Sequence, residues 1–211
     1  MPPVLLETIR LREGVAPLWP LHLRRLAGSC AALGVPWPGA LEAPWGGADR
    51  IVRLQVDAGG VLVTEREVGP AVPLRLVAAR TVHRPYPHKT TDREPFDRAL
   101  AEARLAGADD AVMLTPEGWV AECAIWSLFW WDGETLCAPS LRLGVLPGVA
   151  RARIAELVDG LAERWAGRDA LPAVSAFAAN AARGIVPIAE LDGQIMLPHA
   201  GTARLQARFW P

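Results

Sequence analysis

One residue type in the chain could supply an amine nucleophile, and it occurs once. Among the 22 basic residues of the 211-residue sequence, Lys89 is the sole lysine and the other 21 are arginines. A guanidinium stays protonated at any usable pH, whereas an ε-amine can be lowered into the working range and attack a carbonyl carbon. A coding preference for arginine explains the 21, because most solvated positions accept either cation. Lys89 is then either a chance survivor on a solvated loop or an amine that arginine could not replace, and composition alone does not choose. A lysine that forms a Schiff base with a phosphate-bearing carbonyl compound needs an electron sink and anion-binding groups around it. Glu122 stands between Ala121 and Cys123 in an otherwise apolar run, where an unpaired carboxylate would be costly to bury. Arg25 sits at helical spacing in LHLRRL. Gly148, Val149 and Ala150 open a helical pattern, where free N–H groups and the helix dipole favour a phosphate. His22, His83 and His88 match no zinc spacing and have no cysteine pair nearby, so no metal is expected.

The elements that must position these groups follow from pattern. Residues 4–12 alternate apolar with polar and predict a strand. LWPLHLRRLAGSCAALGV predicts a helix with Leu21, Leu26, Cys30 and Leu33 on one face, stopped by Gly34 and Pro36. RIVRLQVDAGGVLVTERE predicts a β-hairpin. GPAVP at 69–73 is a candidate linker, giving a small mixed domain over 1–70 and a larger one over 71–211. In the second domain, PLRLVAARTV predicts a strand, HRPYPHKTT an extended segment carrying Lys89, and DREPFDRALAEARLAGA a helix capped by Asp92 with Pro95 in its first turn. Two turn signals, PEG and DG, divide residues 110–139 into three expected antiparallel strands, with Glu122 on the middle one. GVARARIAELVDGLAERWAG predicts an amphipathic helix, and SAFAANAARGIVPIAELDG a strand, turn and strand. The fold class is α/β or α+β.

Composition sets outer bounds. A net charge of −1 with 51% hydrophobic residues points to neither disorder nor general nucleic acid binding. No segment offers about 18 uncharged apolar residues, so no membrane partner is expected. An acid and an arginine within the first ten residues break any secretion-signal core, which makes a cytoplasmic location the default expectation. Cys30, Cys123 and Cys137 are odd in number and widely spaced, as reduced thiols in or near a core would be.

The strings LETIR, HLRRL, HKTTDR, WVAECAIWSLF, LPGVAR and ARGIVPI, in this order, resemble the fold type IV pyridoxal phosphate enzymes, the class IV aminotransferase and aminodeoxychorismate lyase family. The resemblance runs nearly the whole chain. HKTT and the short N-terminal part look most like the lyase branch. The resemblance implies a two-domain fold with a barrel-like sheet in the larger domain, pyridoxal 5′-phosphate as cofactor, a small amine or amino acid substrate, and a homodimer. It assigns Lys89 as the Schiff base lysine, Glu122 as the acid at the pyridine nitrogen and Arg25 as a phosphate ligand. Gly148, Val149 and Ala150, together with Asn180, would complete the phosphate side. Tyr86 and His88 are candidates for the pocket wall, and Trp126 and Trp130 for a pocket or dimer face.

Three departures stand out. Ala150 replaces the usual Thr or Ser, Cys123 to Ser127 stand where Gly-Thr or Gly-Ser and then an Asn are common, with Ser127 at the Asn position, and Asn180 is flanked by Ala179 and Ala181 where hydroxyl residues are common. The activity implied is loss of pyruvate from aminodeoxychorismate to give 4-aminobenzoate. The alternatives are amino transfer between an amino acid and a 2-oxo acid, or a degenerate member that serves as a scaffold.

Overall fold

In a computed structural model the chain is described over residues 3–171 and 175–211. Strand β1 (Leu5–Leu11) is followed by helix α1 (Trp19–Leu33), which carries Pro20 in its first turn. Gly34 ends α1 at φ 64°, a left-handed conformation that closes the helix through its N–H to Cys30 O, as expected of a glycine stop. Strands β2 (Arg50–Asp57) and β3 (Gly60–Arg66) complete a three-stranded antiparallel sheet in the order β1-β2-β3. Leu5 and Ile9 of β1 pack with Leu26 and Cys30 of α1 and with Val52, Leu54 and Val56 of β2. Successive strand residues face opposite sides, so Glu7 shares this helix-covered face, while Leu6 and Thr8 point to the other.

The second sheet is larger and mixed. It contains β4 (Leu74–Ala78), β5 (Asp110–Leu114), β6 (Val120–Cys123), β7 (Ser127–Asp132), β8 (Thr135–Pro139), β9 (Ala162–Arg164), β10 (Ser175–Asn180), β11 (Gly184–Leu191) and the short β12 (Gln194–Ile195). Its order is β6-β5-β4-β11-β10-β7-β8-β9, with β12 paired to β11. The β4–β5, β4–β11 and β8–β9 pairs are parallel. The two edges meet, since Val120 N–H donates to Ala166 O at 2.8 Å and Trp119 bridges Gly167, so the sheet curls into a half-barrel. Leu76, Val112, Leu128, Trp130 and Val186 belong to its largest core cluster. Helix α3 (Val149–Leu157) and helix α4 (Ala200–Arg208) cover another, built on Phe129, Phe177, Ile154 and Leu205. Helix α2 (Glu94–Leu105) packs Phe96, Ala99 and Ala103 against Ala111 and Met113 of β5. All three cysteines are free and buried.

Four expectations require correction. Residues 110–139 form four strands, because the chain turns at Ala124–Trp126, closed by Cys123 N–H to Trp126 O at 3.0 Å, and sends β6 and β7 to different parts of the sheet. The strand expected over 73–82 ends at Ala78. Helix α3 stops at Leu157, since Asp159-Gly160 breaks it and 162–164 joins β8 as β9. Asp92 does not cap α2: Arg93 holds the N-cap position with no side-chain bond, and Asp92 instead pairs with Arg84 at 2.9 Å.

Candidate active site

Lys89 lies on an extended strap, residues 79–93, that has no regular structure of its own until α2 and is held by its neighbours. Leu6 N–H donates to Lys89 O at 2.8 Å and Thr91 N–H to Val4 O at 3.0 Å, so β1 fixes the backbone on both sides of the lysine. The Tyr86 hydroxyl donates to Thr90 O at 2.5 Å and accepts from Thr90 N–H at 2.6 Å, clasping the turn through Lys89. Tyr86 rests on Phe96 with ring centroids 4.7 Å apart. Gly144 accepts the Tyr86 N–H at 2.7 Å, and a Cβ there would stand 2.7 Å from Pro85 Cβ at a backbone φ of 77°, so the strap requires glycine at that position.

This anchoring presents Lys89 to a cavity of about 250 Å³. Leu6 and Thr8 from the small sheet, Glu122 to Ser127, Leu146, and the turn after β10 line it, as do Tyr86 and Phe96. Burial, with Arg25 and Arg93 nearby, lowers the Lys89 amine from 10.5 to about 7 against the opposing pull of Glu7 and Glu122. An amine so shifted is substantially neutral and nucleophilic near physiological pH. Glu122 is buried on β6, where its Oε1 accepts from His83 Nε2–H and from Leu146 N–H, each at 3.0 Å. No protein donor reaches Oε2 among the described residues.

A second polar group stands where α1 meets β1. Glu7 Oε1 accepts from Arg25 Nε–H at 2.9 Å, and Oε2 accepts from Arg25 Nη2–H and His22 Nδ1–H, both at 2.5 Å. Burial pushes the Glu7 carboxyl up, but Arg25 and His22 outweigh it and bring it from 4.5 to about 2. Burial, with Arg25 and Lys89 nearby, lowers the His22 imidazole against the opposing pull of Glu7, to which its Nδ1–H donates. Arg25 thus reaches the cavity with its fork oriented by a carboxylate, while Arg24 is exposed.

Across the cavity, Gly148 is the N-cap of α3 and carries no capping side chain, and no acid stands in the first turn. The N–H groups that open this helix are a ready anion site. A Cβ at Gly148 would lie 2.9 Å from Ser127 Oγ and would push that hydroxyl aside, so glycine keeps the approach to the helix start open. Asn180 lines the cavity, but its Oδ1 accepts from Ala182 and Arg183 N–H at 3.1 and 2.8 Å, which leaves only its amide N–H2 to donate.

The structure therefore brings Lys89, Glu122, Arg25, Gly148, Val149, Ala150 and Asn180 to one cavity. Tyr86 and Trp126 line it too. His88 does not: it bonds Ser29 Oγ at 3.1 Å in a neighbouring groove between α1 and α3. Trp130 packs in the core of the large sheet.

Residues 63–191 match the Amino-transferase class IV family. The chain belongs to that family. Its members use pyridoxal phosphate, and this chain is a pyridoxal phosphate-dependent enzyme. Among solved structures it is similar to a candidate amino-acid aminotransferase from Mesorhizobium loti, with 26% identity over 89% of this chain and 99% of that one and a TM-score of 0.78. It is similar to a branched-chain aminotransferase from Thermoproteus uzoniensis, with 25% identity over 98% and 84% of the two chains and a TM-score of 0.83. A candidate 4-amino-4-deoxychorismate lyase from Legionella pneumophila shares the fold at 20% identity over 98% and 91%, with a TM-score of 0.83.

The cavity fits the cofactor's parts: an amine of lowered pKa for its aldehyde, a half-satisfied buried carboxylate for its ring nitrogen, and a side-chain-free helix start for its phosphate. Several cavity groups were not singled out from sequence. Behind the lining, Glu7 and His83 bond Arg25 and Glu122, contacts 18 and 39 residues apart that no local pattern announces. Arg93 donates to Ala124 O at 2.7 Å and holds the turn after Glu122. Arg53, Arg66 and Arg183 line the opening, the first two on the Thr8 face of the small sheet and the third over Trp126 at 5.7 Å.

Proposed function

We propose that this enzyme is aminodeoxychorismate lyase-like, releasing pyruvate and 4-aminobenzoate, with Lys89 as the residue that holds pyridoxal phosphate. When bound, the cofactor supplies an electron sink for the pair left on the carbon bearing the amine. Glu122 would hold the ring nitrogen through Oε2 and favour its protonated form. Arg25 and the N–H groups of Val149 and Ala150 would hold the phosphate, with Gly148 leaving room for it and the Asn180 amide as a further donor. The hydroxyl that relatives carry at position 150 is absent, so backbone donors carry more of that contact. Lys89, once released by the substrate amine, would stand ready to take the proton from the carbon that bears that amine. The Lys89 ammonium so formed would return the proton to the departing enolpyruvate, which leaves as pyruvate as the substrate ring becomes aromatic.

The observation that carries the cofactor assignment is the sole lysine, lowered to about 7, in one cavity with Glu122. The lyase reading is favoured by Arg53, Arg66 and Arg183, none of which has an acid partner among the described residues. The lyase substrate carries two carboxylates, on the ring and on the enolpyruvyl group, and guanidinium forks suit both. A branched-chain substrate would want an apolar wall there. Amino transfer is the second reading, favoured by the 25% identity to the Thermoproteus uzoniensis enzyme. We take the protein to work as a homodimer.

Incubation of the loaded enzyme with aminodeoxychorismate, and separately with branched-chain amino acids and 2-oxoglutarate, decides between the two. Equal amounts of 4-aminobenzoate and pyruvate support the lyase. Glutamate formation without 4-aminobenzoate supports the transaminase.

A further inference from the structure

His83 plays no part in the chemistry above, yet it is among the most enclosed polar residues of the chain at 3% exposure. Its N–H donates to Leu114 O at 2.7 Å, and its ring stands edge-on to Phe96 at 5.8 Å and 85°. Nε2 lies 3.0 Å from Glu122 Oε1. Leu146 N–H, from the loop that leads into α3, meets the same oxygen at the same distance. Both donors converge on Oε1, and Oε2 is left to the cavity.

That asymmetry matters for the role given to Glu122. A donor from each side on one oxygen fixes the rotation of the carboxylate and so decides where the other oxygen points. His83 stands six residues before Lys89 on the same strap, so the segment that delivers the lysine also grips the acid across the cavity.

We propose that His83 is a positioning residue for the cofactor ring: its Nε2–H fixes the rotation of the Glu122 carboxylate and so turns Oε2 toward the ring nitrogen. The proposal rests on the assignment of Glu122 to that nitrogen.

The test compares binding of pyridoxal phosphate with binding of its 1-deaza analogue, in which C–H replaces the ring nitrogen, by equilibrium dialysis. Against wild type, His83→Leu weakens pyridoxal phosphate about 10-fold to 100-fold and the analogue by about twofold or less, the loss expected when one donor to a charged group is removed. His83→Gln, which restores an N–H donor, recovers most of the affinity. Glu122→Gln shows the same selective loss, and adding His83→Leu to it changes little further. Equal weakening of both ligands by His83→Leu, or none, beside a selective Glu122→Gln, overturns the role of His83 alone. A Glu122→Gln variant that does not distinguish the two ligands overturns the Glu122 assignment, and the proposal with it. If His83→Leu does not fold, imidazole ¹⁵N spectra of wild type serve instead: an Nε2–H tautomer whose signal moves in Glu122→Gln is the expected result, and an Nδ1–H tautomer is the contrary one.

Discussion

Replacing Glu7 by Gln removes one charge from a buried ionic group and keeps its shape. Glu7 is 2% exposed and bonds Arg25 through two oxygens and His22 through one. Its carboxyl falls from 4.5 to about 2. At about 1.4 kcal/mol for each tenfold change in proton affinity, this corresponds to about 3 kcal/mol of stability at neutral pH. Breaking a buried pair from one side costs about 3 to 5 kcal/mol in comparable cases, so the two routes agree. The sign follows from the direction of the shift. A depressed carboxyl stabilises the fold fully above its unfolded value of 4.5 and loses that contribution as pH falls toward 2. Urea unfolding of the cofactor-free protein at fixed concentration reads it directly. Glu7→Gln should be less stable by about 3 kcal/mol at pH 7, lowering Tm by about 6 to 12 °C, and by about half as much at pH 3. Equal stability of the two proteins at pH 7, or a difference that does not shrink at pH 3, would refute the electrostatic reading of this group.

The sole lysine makes its own titration easy to follow. In the cofactor-free protein the rate of trinitrophenylation of Lys89, tracked by its peptide mass, should reach half its maximum near pH 7; a midpoint above about 10 would mean the amine is unperturbed. Gly148→Ala places a Cβ 2.9 Å from Ser127 Oγ. It should cost about 1 to 3 kcal/mol of cofactor binding or stability, partly recovered in the double variant with Ser127→Ala, as measured by dialysis and thermal melting. Arg183→Gln should weaken competitive binding of a dicarboxylate such as isophthalate more than that of benzoate, measured by calorimetry on the loaded enzyme; equal effects would place Arg183 outside the substrate contacts.

Much of this arrangement was legible in the chain because its signals are local. Gly34 stops α1 where the apolar period ends, DAGG turns the first hairpin, and Lys89 stands out among 21 arginines. The misreadings share a cause: a local pattern overruled by pairing elsewhere. No glycine or proline marks the bend at Ala124–Trp126, which is made instead by Arg93 gripping Ala124 O and by Asp110 Oδ2 accepting Ile125 N–H at 3.0 Å. Leu161 and Ala162 continue a helical period past Gly160, but β8 offers an open edge and takes Ala162–Arg164 as a parallel strand. Arg25 was visible, whereas Glu7, which orients it, could not be assigned until β1 and α1 were packed together. His83 was visible only as a histidine without a metal pattern.

The central claim is that Lys89 bonds the cofactor, and one measurement addresses it with little room for evasion. The purified protein is loaded with pyridoxal phosphate, reduced with borohydride, digested and mapped by mass, with Lys89→Ala in parallel. The account predicts a visible absorption band that borohydride abolishes and a pyridoxyl phosphate group on the peptide containing Lys89, neither of which appears in Lys89→Ala. A band and adduct retained in Lys89→Ala, or no adduct on Lys89 in the wild-type protein, would contradict it.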